Sequence, residues 1–380
     1  MPPRSNISSP DLPKPDASED EDDQSLPASE QIRRAHEDRL RSRRKHVRRR
    51  ERQQKPLAAP AENVALIAAK IIGTEGPNFL ARTATGEEMP AKSYKGTHTA
   101  NAGATLVAVG DDVRLAVQED GTATIDEVLL RRTKLSRAAA GQRVAFEQVV
   151  VSNVDLLVIV ASATQPPLRA GIIDRYIVAG LDGGLGIAIA INKHDLATET
   201  QREEALYFRD VYQEIGYPVA IVSAATQAGL PELRAIIEGK TSVFAGHSGV
   251  GKSSLLNAIV GHEIGRTGVL SRKYRRGAHT TSSARLITIE GMPGTYIVDT
   301  PGVREFANHE LDPGNLKFAF AEFLRHQTEC AITNCSHIHE PGCAVREAVE
   351  NDKIAVERYS SYEKLFEEAK KQEYKRITKA

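Results

Sequence analysis

The chain has 380 residues, 50 acidic and 50 basic side chains, and a hydrophobic content of 41%. That length and balance suit a globular protein of two or three domains and exclude a wholly disordered chain. No apolar run approaches the roughly 18 residues of a membrane span, and the start, Met1-Pro2-Pro3-Arg4-Ser5, has no apolar signal segment, so a cytoplasmic protein with no membrane association is expected.

Residues 1–60 read as a disordered extension. Glu19-Asp20-Glu21-Asp22-Asp23 is an acidic block, and twelve basic side chains against three acidic ones follow within 33–55. So dense a basic block binds polyanion by releasing condensed counterions. It holds no aromatic residue, so contact with the backbone and shape of structured RNA is expected rather than base reading.

Residues 61–132 alternate short apolar runs with turn residues. Strands are predicted at Val64–Ile67, Asn78–Ala81, Thr105–Val109, Val113–Val117 and Ala123–Ile125. Five short strands in so short a stretch predict a small β-barrel, either an OB-fold or an SH3-like barrel.

From about residue 133 to 310, strands alternate with helices. Leu156–Val160, Leu185–Ile191, Pro218–Val222, Ser242–Ala245, Ala284–Ile289 and Thr295–Val298 read as strands. Helices are predicted from Ile172, over Gln201–Ile215, from Leu230, and over Ser254–Val260 with Gly261 as terminator. Such alternation predicts a mainly parallel sheet covered on both faces.

Three motifs give this α/β segment a chemistry. Gly246-His247-Ser248-Gly249-Val250-Gly251-Lys252-Ser253-Ser254 fits the phosphate-loop pattern G-x-x-x-x-G-K-S/T between a strand and a helix. Its glycines let backbone N–H groups turn around phosphate oxygens. Lys252 reaches the β- and γ-phosphates, and the Ser253 hydroxyl ligates Mg²⁺. Asn192-Lys193-His194-Asp195 ends the second strand. Its Asp195 carboxylate matches the two donors on the guanine edge, while adenine offers no such pair. Ser223 and Ala224, ending the third strand, add a backbone N–H for the guanine carbonyl. Asp299-Thr300-Pro301-Gly302 fits the D-x-x-G switch, with Asp299 on Mg²⁺ through water and the Gly302 N–H at the γ-phosphate. A switch threonine is expected in Arg276–Thr281, at Thr280 or Thr281. GTP or GDP with Mg²⁺ is therefore the expected ligand.

The order is unusual, because the guanine motif precedes the phosphate loop. A circular permutation explains it, and it leads the D-x-x-G switch straight into the C-terminal segment. Val303 occupies the place where many GTPases carry a water-orienting glutamine, so intrinsic hydrolysis should be slow. His279 is the candidate replacement, with an RNA contact or a plain loop residue as the alternative.

Residues 311–380 carry all three cysteines. Cys330-x4-Cys335-x-His337-x5-Cys343 supplies three thiolates and an imidazole, the donor set of a closed structural Zn²⁺ site; His339 is a rival for the fourth position. A charged helix over Asn351–Ala380, with Ile354, Tyr362, Leu365 and Phe366 apolar, ends the chain.

Taken together, these motifs in this order resemble the bacterial circularly permuted GTPases of the RsgA family, over nearly the whole chain. The resemblance implies an OB-fold before the GTPase domain, one structural zinc after it, and activity stimulated by the small ribosomal subunit late in its maturation. It also implies that His279 matches a switch-loop histidine assisting hydrolysis. Partners are then the small subunit and its rRNA, and a monomer is expected. Two other readings predict different behaviour. One is an RNA-binding assembly protein that holds GTP as a structural ligand, and the other is an ATPase with a misleading guanine motif.

Overall fold

The structure, a computed structural model, describes residues 66–75, 78–101, 103–117, 122–138, 147–262, 284–299 and 311–378. All fall within residues 55–380, one of two compact units into which the chain divides. The predicted N-terminal extension, residues 1–60, lies outside the described residues.

Five strands close the barrel: β1 (Leu66–Glu75), β2 (Asn78–Thr83), β3 (Glu88–Thr99), β4 (Asp112–Val117) and β5 (Ala123–Val128). Their order is β1-β2-β3-β5-β4, and β4 returns to β1 in antiparallel register from Leu66↔Ala116 to Lys70↔Asp112. The β3–β5 pair is parallel and the other barrel pairs are antiparallel. This Greek-key order is that of an OB-fold, which settles the choice the sequence left open. Ile71, Ala81, Leu115, Ile125 and Val128 fill the interior.

The predicted strand at Thr105–Val109 does not form; only isolated bridges occur, at Ala104 and Val109. A buried ion pair bends the backbone there instead. The Arg131 guanidinium donates to both Asp111 carboxylate oxygens at 2.7 and 2.8 Å and to the Thr105 carbonyl at 2.8 Å. Asp111 in turn accepts from the Ala108 N–H at 2.7 Å. The missing barrel strand is β3, whose Pro90, Gly96 and charged residues hide its pattern. An unpredicted hairpin, β6 (Lys134–Ala138) with β7 (Glu147–Ser152), follows the barrel.

The second half of the sheet is built from β8 (Leu156–Ser162), β9 (Gly186–Asn192), β10 (Val219–Ile221), β11 (Thr241–Ala245), β12 (Arg285–Thr288) and β13 (Tyr296–Asp299). Its order is β10-β9-β8-β11-β13-β12. All but β12 run parallel. Every residue of β8 is buried, as expected of a strand covered on both faces. Helices α1 (Ala170–Asp182) and α2 (Glu199–Glu214) pack on one face, with Ile173, Ile177, Phe208 and Tyr212 in that core. Helices α3 (Leu230–Ile237) and α4 (Lys252–Val260) pack on the other, through Leu233, Ile237, Leu255 and Ile259.

The chain runs outward from β8 to β10, then crosses back to place β11 on the other side of β8. Ligands of open α/β sheets bind at the carboxyl edge where the strand order reverses in this way. The barrel covers the far edge, where the Thr74 N–H donates to the Ala284 carbonyl at 3.2 Å. Covering an edge strand removes a site for unwanted strand pairing.

The C-terminal module comprises α5 (Pro313–Leu316), α6 (Ala344–Glu350), α7 (Val356–Ile377) and short 3₁₀ turns between Lys317 and Glu329. Helix α7 starts five residues later than predicted, and Ile354 is buried just ahead of it. The module is joined to the α/β sheet through α1. Arg358 is 1% exposed, donates to Glu322 at 2.8 and 3.0 Å, and also donates to Asp174 of α1. The Tyr212 hydroxyl closes the cluster onto Asp174 at 2.7 Å.

Candidate nucleotide and metal sites

The five parallel strands end at Ser162, Asn192, Ile221, Ala245 and Asp299, all on one edge of the sheet. Asn192, Asp195, Ser223, Gly246–Ser254 and Asp299 therefore converge there, although 107 positions separate the first from the last. His279, Thr280, Thr281, Gly302 and Val303 lie outside the described residues.

The phosphate loop is shaped by close packing. Gly246 takes φ +150°, and a Cβ there would sit 2.2 Å from the Val160 carbonyl oxygen. Gly249 and Gly251 are left-handed, with φ +85° and +89°. Beyond Gly251, helix α4 begins at Lys252, so its N-terminus faces the loop's concavity. The Lys252 ammonium crosses the loop and donates to the carbonyls of Gly246 at 2.6 Å and His247 at 2.8 Å. Ser253 and Ser254 are exposed, leaving their hydroxyls accessible to a ligand. Val250 is buried, while His247 and Ser248 face solvent.

The guanine motif is bonded directly to this loop. Asn192 donates through Nδ2 to the Val250 carbonyl at 3.0 Å, and its Oδ1 accepts from the Ala224 N–H at 3.1 Å. Lys193, left-handed at φ +64°, donates to the Gln165 carbonyl at 2.7 Å and the Gly249 carbonyl at 2.5 Å. His194 and Asp195 form a single 3₁₀ turn beside it, with the His194 N–H on the Val222 carbonyl at 3.3 Å. Ser223 Oγ accepts from the Thr226 N–H at 3.1 Å, fixing the turn that follows β10. The guanine-type motif and the phosphate loop thus form one hydrogen-bonded frame.

Asp299 stands at the end of β13, and burial pushes its carboxyl above the usual range. A cation beside it would offset that burial cost. Two supporting residues had no sequence signal. Gln165 contributes only a carbonyl, invisible in residue type. Tyr176 on α1 is buried under the loop; burial pushes its phenol up against a lowering contact from the Gly246 backbone.

The second cluster is metal-like. Cys330, Cys335, His337 and Cys343 gather their ligand atoms within 4.8 Å of one another. The His337 Nδ1 lies 3.6 Å from the Cys330 sulfur and 3.5 Å from that of Cys343. Tetrahedral Zn²⁺, with bonds of about 2.3 Å to sulfur and about 2.0 Å to nitrogen, requires a separation of about 3.5 Å, so the donor set fits. His339 is exposed and belongs to no such cluster among the described residues. Burial, with the neighbouring thiols, pushes Cys335 up to about 12. Burial also raises Cys343. The pocket by itself therefore opposes thiolates, and a dication would supply the missing charge.

The loop around the cluster is held from outside. The Tyr359 hydroxyl donates to the His337 carbonyl at 2.7 Å and that of Tyr362 to the Ser336 carbonyl at 2.5 Å. Burial would raise Glu340, but donors from Ser336 and the backbone of His339 outweigh it and hold the carboxyl well below its usual range.

The fold and the joined motifs define a circularly permuted P-loop GTPase: α3 runs into β11 through residues 238–240 alone, and the chain leaves the sheet after β13. The RsgA GTPase family model matches residues 128–309. A small ribosomal subunit biogenesis GTPase RsgA of Chlorobaculum tepidum is 40% identical over 76% of this chain and 93% of its own length. The protein of that name from Porphyromonas gingivalis is 34% identical over 80% and 98%. The crystal structure of YjeQ from Thermotoga maritima superposes with a TM-score of 0.64 at 31% identity, over 80% of this chain and 99% of that one. YloQ, a circularly permuted GTPase, shares the fold with a TM-score of 0.62 over 83% and 99% at 24% identity. The chain belongs to the RsgA family of GTPases.

Proposed function

We propose that this protein binds the small ribosomal subunit and couples GTP hydrolysis to late steps of that subunit's maturation and to its own release. The observation that carries this reading is the extent of the likeness. Relatives named for small-subunit biogenesis match over 93% and 98% of their length, well beyond the GTPase domain. Four parts divide the work: an extension at 1–60, an RNA-binding barrel at 61–132, the GTPase domain at 133–310, and a zinc module with its helix at 311–380. The barrel, the basic tail and the module bind rRNA, and the protein acts as a cytoplasmic monomer.

At the nucleotide site, the Asp195 carboxylate accepts from the guanine ring N–H and the exocyclic amine. The Lys193 stem covers the base. The N–H groups of Gly249–Ser253 and the Lys252 ammonium hold the phosphates, and the Gly302 N–H reports the γ-phosphate. Ser253, a switch threonine (Thr280 or Thr281) and, through water, Asp299 would hold Mg²⁺, which would supply positive charge for the phosphate oxygens. Val303 cannot orient a water, so His279 takes that task when the small subunit arranges its loop. Turnover is then slow in the free protein and fast on the subunit. One Zn²⁺, held by Cys330, Cys335, His337 and Cys343, shapes the module.

Steady-state GTP hydrolysis with and without purified small subunits tests the reading. Strong stimulation, absent in Lys252→Ala, supports it. Flat turnover with tight GTP binding overturns the catalytic coupling and leaves an assembly protein that uses GTP as a structural ligand.

A further inference from the structure

Residues 311–378 carry twelve Asp and Glu against ten Lys and Arg. The C-terminal module as a whole therefore has no charge to attract a polyanion. One groove departs from that balance. It is an open depression of about 380 Å³ walled by residues that include Lys317, Phe318, Asn334, Tyr362, Phe366 and Lys370, and among the described residues no carboxylate lines it.

The groove pairs aromatic faces with ammonium groups. Phe318 keeps 44% of its surface in solvent, so its ring is open to a ligand. The Lys317 ammonium lies 5.5 Å from the Phe318 ring centroid, and that of Lys370 lies 5.8 Å from the Phe366 ring. Lys370 also meets Glu373 at 3.1 Å, an exposed pair of the kind that is worth little and yields to a stronger anion. The groove floor is the metal-site loop, because Lys317 donates to the Cys335 carbonyl at 3.1 Å and Tyr362 to Ser336.

We infer that this groove takes an unpaired RNA segment, with a base stacked on Phe318 and the flanking phosphates on Lys317 and Lys370. The inference rests on the reading of the chain as an rRNA-binding protein, and adds where and how this module does so. Stacking on an exposed ring beside cationic groups is the general mode of single-strand binding. A duplex presents no free base face, and an acidic peptide would use the lysines but leave the ring idle.

The test uses the full chain and a short single-stranded RNA carrying 4-thiouridine. After irradiation, mass spectrometry should find cross-links in the peptide containing Phe318. Phe318→Leu should weaken binding of the same RNA about tenfold. Lys370→Gln should lower the salt dependence of binding by about one phosphate contact. Both variants should retain the wild-type melting temperature and labelled-GDP affinity. Zinc chelation should also reduce the Phe318 cross-link, since the groove floor is the metal loop. Cross-links confined to the barrel or the basic tail, or unchanged affinity in Phe318→Leu, overturn the inference. Displacement of the RNA by polyglutamate, with no effect of Phe318→Leu, overturns it in favour of an acidic-peptide site. Co-sedimentation with small subunits is measured separately, so loss of ribosome binding by the wild-type chain is told apart from failure of the groove.

Discussion

The Asn192 carboxamide and the Val250 carbonyl meet at 3.0 Å, joining the guanine motif to the phosphate loop across 58 positions of sequence. Gly251 makes that contact possible. A Cβ at Gly251 would lie 2.4 Å from Asn192 Nδ2, and its φ of +89° already disfavours a side chain. Gly251→Ala should therefore cost about 1–3 kcal/mol of stability and also weaken nucleotide binding. Gly239→Ala is the control. It is left-handed at φ +68° but has open space around its Cβ, so it should lose some stability and keep its GDP affinity. Thermal melts and labelled-GDP titrations separate the two effects.

Asp195 is the residue proposed above to choose the base. Asp195→Asn should lower GDP affinity on the order of 100-fold, because two charge-assisted hydrogen bonds are lost. The new amide donor matches the extra carbonyl of xanthine, so xanthosine diphosphate should gain. Competition titrations measure both. Retained guanine selectivity would remove the assignment.

Arg358 hydrogen-bonds two buried carboxyl groups, Asp174 and Glu322, at the joint between α1 and α7. Its guanidinium also lies 4.5 Å from the Phe320 ring centroid. Arg358→Ala should destabilise the protein by about 3–5 kcal/mol, since it strands those charges. The triple change Arg358→Met, Asp174→Asn, Glu322→Gln should recover much of the loss. Denaturant melts of both variants distinguish stranded charge from lost packing.

His337, not His339, should hold the metal. His337→Ala or Cys335→Ser should drop the bound zinc below one equivalent and lower the melting temperature, while His339→Ala should leave both unchanged. Metal analysis by atomic emission, paired with melts before and after chelation, decides it. Loss of zinc in His339→Ala would reverse the choice.

Arg175 hydrogen-bonds to Glu368 across the same joint and holds its carboxyl below the ordinary value of 4.5. A depressed carboxylate contributes stability above that value and loses it as pH falls through its folded pKa. Both groups are partly exposed, so the contribution is about 0.5 kcal/mol or less. Glu368→Gln should be slightly less stable than wild type at pH 6, and the gap should close in acid. Melts across that range measure it.

Much of this molecule was legible in residue order alone. The phosphate loop, guanine motif and cysteine cluster announce themselves because each chemistry needs fixed residue types at short spacing. The parallel strands were visible because burial on both faces leaves unbroken apolar runs, as in Leu156–Val160. Strand β3 was not legible, since Pro90, Gly96 and the charged Glu88, Lys92 and Lys95 interrupt its apolar alternation, and Thr105–Val109 looked like a strand until Arg131 and Asp111 bent it. Backbone partners carry no residue-type signal, so the roles of Gln165 and Val250 could not be read.

The sequence by itself carried the phosphate-loop, guanine and cysteine motifs and their permuted order, because those depend on local composition and spacing. Only the tertiary structure decided how the sites are joined. It closed the barrel by returning β4 to β1, gathered His337 rather than His339 with the three cysteines, and fixed the module to α1 through Arg358. Those choices depend on groups far apart in sequence, and their energies exist only once chain folding removes water from between them.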